Sequence, residues 1–108
     1  MDLVQKINND IKEAMKSAQA MKLGTLRLLA SAIHNREIEK KAKSKEPITE
    51  AEVTDVLKKE VKKRRESIDI YGKAGRNDLK DKEVEELAII QSYLPPELTE
   101  EVLEGLVK

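Results

Sequence analysis

"KKEVKKRRESIDIYGKAGRNDL", residues 58–79, puts six lysines or arginines into its first eight positions and then carries two glycines. It can be read as a helix that grips nucleic acid, or as a surface helix whose core face runs through the basic cluster. A helical wheel separates the two. With Val53 as origin, Val53, Leu57, Val61, Ile68 and Tyr71 form an apolar stripe within about 80°. Lys58, Lys62 and Arg65 fall on the far side, at about 120–180°. Lys59 and Lys63 take the other flank, with Lys63 nearer the core edge. These five cations are most simply a solvated face. A phosphate-contacting ridge is the alternative, since contacts to an RNA backbone need only such point charges. No aromatic residue is interleaved for base stacking, and no recognised DNA-binding motif is present.

Arg64 differs from its neighbours because it falls near the middle of the apolar stripe, as does Glu60. An ion on a core face is costly unless it is paired. Glu37 follows Leu26, Leu29 and Ile33 on the preceding segment, and Glu83 falls between Leu79 and Leu87 on the following one. Arg27 sits at the edge of its stripe. The spacing predicts an internal ionic network of Arg27, Glu37, Glu60, Arg64 and Glu83 that fixes helix register. A polar pocket able to do acid–base work is the alternative. Arg76, just after Gly75, could reach an anion from the bundle end.

Outward from this stretch the apolar period stays helical, and no alternating run suggests a strand. Leu3, Ile7, Ile11, Ala14 and Ala18 share one face, with Asp2 as N-cap. Leu26, Leu29, Ala30 and Ile33 form a second stripe displaced by about 90°, which places a break near residues 20–23, marked only by Gly24. A loop precedes Pro47. "TEAE" at residues 49–52 fits a capping box. Gly75 is a left-handed stop, Asn77 is the expected cap of the fourth helix, and Pro95 and Pro96 end it. Thr99 opens a short last helix over about 100–107. The expected fold is all-α: an antiparallel four-helix bundle over residues 1–95. Residues 96–108 are expected to be a short linker and the start of a C-terminal helical segment.

Net charge is zero but unevenly spread: residues 1–76 hold 18 basic and 12 acidic side chains, and residues 77–108 hold 3 and 9. The chain has no cysteine, which excludes disulfides, thiol nucleophiles and cysteine metal sites. The first ten residues carry charges every few positions, so they read as neither a signal peptide nor a membrane span. A cytoplasmic location is expected. His34 is the only histidine, and nothing in the pattern gives it a serine nucleophile and an orienting aspartate. Glu83, Glu85 and Glu86 have no histidine at metal spacing. Gly72 and Gly75 lack the strand and the Gly-Lys-Ser/Thr ending of a phosphate loop. No catalytic residue, metal ligand or cofactor is therefore assigned.

The run of Arg64, Gly75, Arg76, Asp78, Leu79, Glu83, Glu86 and the "YLP" of residues 93–95 resembles the bacterial YqeY-like proteins of the GatB/YqeY domain family. The "LGTLRLLASAIHNREIE" segment, with Arg27, Asn35 and Glu37, extends the likeness to nearly the whole chain. The resemblance implies a helical domain similar to the tail of the B subunit of tRNA-dependent amidotransferases, a region associated with tRNA. Family members usually continue into a second small helical domain, and the expectation for residues 1–108, as a truncation or a short variant, is a bundle without it. The resulting expectation is a tRNA- or RNA-associated accessory module without its own active site. Lys58, Lys59, Lys62, Lys63, Arg65 and Arg76 are its candidate contacts. The alternative is a module that docks on a protein of the translation apparatus, an aminoacyl-tRNA synthetase or an amidotransferase. An enzyme of the amidotransferase type, a carbon–nitrogen ligase using glutamine, rests on the family label alone.

Overall fold

The computed structural model describes residues 2–95. These form four helices: α1 (Leu3–Lys16), α2 (Ala20–Lys43), α3 (Glu50–Lys73) and α4 (Asn77–Gln91). There is no strand among the described residues. The helices pack on one another as an all-α bundle. Three-residue corners join α1 to α2 and α3 to α4, which makes each pair an antiparallel hairpin. The expected fifth helix lies outside the described residues.

Local chemistry sets the helix starts. The Asp2 carboxylate accepts the Gln5 amide at 2.7 Å and caps α1. Thr49 and Glu52 form the capping box of α3: the Glu52 amide donates to Thr49 Oγ1, and the Thr49 amide donates to Glu52 Oε1. Helix α4 departs from expectation. Its N-cap is Arg76, with no side-chain cap, and Asn77 is already helical.

Both hairpins turn on the same motif. After α3, the Arg76 amide returns to the Tyr71 carbonyl and the Gly75 amide to that of Gly72, with Gly75 at φ 72°. After α1, Gln19 and Ala18 return to Ala14 and Met15 in the same way, with Ala18 at φ 56°. Such a turn normally holds glycine, because a Cβ in the left-handed region costs about 1–2 kcal/mol. The break therefore falls at residues 17–19, not 20–23. Ala18 belongs to the corner, and Gly24 lies inside α2.

The core is aliphatic. Ile7, Leu26, Leu29, Ile33, Val53, Val56, Leu57, Val61, Ile90, Tyr93 and Leu94 bury together. Helix α2 is central: it packs on α1, α3 and α4. Tyr93 fastens the end of α4 to α1. Its hydroxyl donates to the Asp10 carboxylate, and the Lys6 ammonium sits 5.4 Å from the ring centre. Burial, then the Asp10 carboxylate, pushes the phenol well above its ordinary pKa.

Candidate functional site

Helix α3 carries two polar features on opposite sides. In the inner one, Glu60 and Arg64 stand on either side of Val61, the last fully buried core residue of the helix. Arg64 is 11% exposed and turns toward α4. Its Nη1 donates to Glu60 Oε1 at 2.8 Å. Its Nε lies 3.5 Å from Glu86 Oε1 and 4.0 Å from Glu83 Oε2, close enough for charge attraction but making no hydrogen bond. Lys63, mostly exposed, adds a contact to the other oxygen of Glu60 at 3.1 Å. One buried guanidinium thus serves three carboxylates. Burial, then the neighbouring Glu86 charge, raises the Glu83 pKa above its ordinary 4.5.

The structure gathers Glu60, Arg64 and Glu83 from the five expected network residues and adds Glu86. Its position four residues before Ile90 already put it on the α4 stripe. Arg27 and Glu37 stand elsewhere. Arg27 is exposed. Glu37 lines a pocket between α1 and α2. The reason is reach: the grooves between α2 and α4 involve residues 19–28 of α2, far from Glu37 along the helix.

The outer feature is the basic face. Lys58, Lys59, Lys62 and Lys63 are all exposed. Lys59 pairs with Asp55 at 3.5 Å, and Lys63 with Glu60. Lys58 and Lys62 make no ion pair among the described residues. Lys59 and Lys63 also rim a groove between α2 and α3, together with Asn35 and Arg36, over a floor of Ala32 and Val56. Arg65 does not extend this face as the wheel suggested. It is half-buried, its Nε is shielded without a hydrogen-bond partner, and burial lowers its pKa. Arg76 is exposed at the α3–α4 corner, where both its Nε and Nη2 approach Asp78 at 3.3–3.4 Å.

His34 is exposed on α2, one turn after the exposed Ser31, and shares its pocket with Asn8 and Glu37. Among the described residues, no three histidine or acidic side chains are placed to hold a metal ion. No described helix is long and apolar enough to cross a membrane.

A family model described as Yqey-like protein matches residues 4–108. A relative from Eremothecium gossypii, named altered inheritance of mitochondria protein 41, mitochondrial, is 38% identical over 86% of this chain and 49% of its own length. The protein of the same name from Lachancea thermotolerans is 33% identical over 87% of this chain and 49% of its own. One from Saccharomyces cerevisiae is 35% identical over 84% and 48%. The chain spans about half the length of these curated relatives. Their names correct the cytoplasmic expectation, since they place these relatives in mitochondria. The expectation leaned on missing apolar leaders and cysteines. Mitochondrial transit segments are amphipathic rather than apolar, so neither absence bears on that compartment.

Proposed function

This chain belongs to the YqeY-like protein family, and from that premise we propose that it is a non-catalytic helical module that associates with tRNA or another RNA. The observation that carries the reading is the outer face of α3. Four lysines project from two turns of one rigid helix, and Lys58 and Lys62 have no carboxylate partner among the described residues. Their charge is available to phosphates. Lys59 and Lys63 would exchange Asp55 and Glu60 for phosphate, at a lower gain. Asn35 and Arg36, the latter already paired with Glu52 and Glu39, continue the same groove onto α2, which Glu39 and Glu60 also line. Arg65 contributes packing rather than contact, and Arg76 offers a separate exposed cation at the corner. Any link to tRNA-dependent amidation is then that of an accessory.

The test is binding to bulk tRNA across a salt series, with Lys58→Glu/Lys62→Glu beside the parent. Binding should weaken with a log–log slope of about −3 for four phosphate contacts, and the variant should lose most of it. Salt-independent binding, or a variant that binds as well as the parent, overturns the reading.

A second reading is docking on a synthetase or amidotransferase. It is favoured by an apolar groove between the start of α2 and α4, where Met21, Ala88 and Ile89 line the cleft and Leu28 is 51% exposed. Leu28→Asp should abolish capture of such a partner and leave RNA binding unchanged.

A further inference from the structure

Glu37 is one of the residues that carry the family likeness, yet the ionic cluster does not use it. It stands on α2 at the edge of a pocket of about 170 Å³ between α1 and α2. The floor includes Ile7 and Ile33, at 1% and 2% exposure, so the pocket reaches the core. Its polar groups are Asn8 from α1 and His34 and Glu37 from α2. Among the described residues, no lysine or arginine lines this pocket. Glu37 makes no hydrogen bond or ion pair among the described residues. The nearby lysines leave it alone: Lys40 is held by Glu52 on α3, and Lys41, one turn on, is exposed and outside ion-pair distance.

We propose that this pocket binds a small organic cation, an ammonium head on a short alkyl stem. The half-buried Glu37 carboxylate supplies the charge. Ammonium has three donors and no acceptor, and the pocket offers three acceptors: the carboxylate, the Asn8 amide oxygen and an imidazole nitrogen of His34. The stem lies on the Ile7 and Ile33 floor and removes apolar surface from water. An anion is turned away by Glu37, and a neutral alkyl group leaves the carboxylate unmatched. The site is separate from the lysine face of α3 and takes a ligand of opposite charge, so the two assignments stand or fall independently.

The probe is n-butylammonium chloride, titrated into the full chain at pH 8, where histidine is neutral, and followed by methyl ¹H–¹³C NMR. Saturable shifts are expected at the methyl groups of Ile7 and Ile33, with a Kd on the order of 1 mM. n-Butanol should bind about tenfold more weakly, and so should n-butylammonium to Glu37→Gln. Glu39→Gln, on an exposed position of the same helix, should bind as the parent does. The spectra report in the same experiment that each variant is folded. Equal binding of n-butanol, undiminished binding to Glu37→Gln, or non-saturating shifts scattered over the acidic surface overturns the assignment.

Discussion

At its start, α3 sets one carboxylate among cations; past its middle, it sets one cation among carboxylates. Glu52 accepts the Thr49 amide and takes ion pairs from Lys40 and Arg36 of α2. The Lys40 hydrogen bond, then the Thr49 amide, holds its carboxyl at a pKa of about 2. Arg64 faces Glu60, Glu83 and Glu86, and there the Glu83 carboxyl moves up. The same residue type is thus shifted in opposite directions at the two ends of α3's contacts, Glu52 on α3 itself and Glu83 on the facing α4. What differs is the local ratio of cations to anions and the degree of burial. The Glu52 site fastens α3 to α2 at the surface. The Arg64 site ties α3 to α4 where water is scarce, so one group there carries several interactions.

Removing Arg64 should break this contrast most severely. Arg64→Ala leaves three carboxylates together without their guanidinium and should cost about 3–5 kcal/mol in urea unfolding. A loss below about 1 kcal/mol would show that Lys63 and water replace it. Thr49→Ala, at the other site, should cost about 1 kcal/mol, the usual worth of a helix cap. Lys40→Ala, which removes the largest cause, should let the Glu52 carboxyl rise from about 2 toward 4.5 in a carboxyl-carbon NMR titration, whereas Thr49→Ala keeps the backbone amide and should move it little.

A titration from acid upward should sharpen the comparison further. The folded pKa of Glu52 lies below its unfolded value, so its contribution is present above pH 4.5 and is lost as pH falls toward about 2. The folded pKa of Glu83 lies above 4.5, so the folded chain binds that proton more readily, and stability declines as pH rises through the folded value. Glu83→Gln should flatten the stability profile just above pH 4.5 and leave the acid limb unchanged; Glu52→Gln should do the reverse. An identical effect of both variants on both limbs would mean that the two sites are not electrostatically distinct. The smallest effect belongs to the exposed face between them. Lys62→Ala should change stability by no more than about 0.5 kcal/mol while weakening RNA binding.

Much of this was legible in the residues. T-x-x-E announces the capping box, and Gly75 announces the corner after α3. The stripe through Leu57, Val61 and Arg64 shows that one member of a basic run faces inward. The corner after α1 was not legible, because alanine carries no signal for a left-handed φ; only the return hydrogen bonds to Ala14 and Met15 reveal it. Arg65 misled for a different reason. A wheel assigns direction from the Cα, whereas a long side chain can bend back under cover of neighbouring groups.

By itself the sequence determined four helices, the caps that start α1 and α3, and the inward place of Glu60 and Arg64, because periodicity and capping act within a few residues of one another. Only the tertiary structure decided which of those faces meet. Whether Arg64 finds Glu86 on α4 or Glu37 on α2 depends on how far each helix runs past its neighbour, and that follows from packing the whole core. Glu37 therefore faces α1, where it serves a pocket rather than the network that its spacing alone suggested.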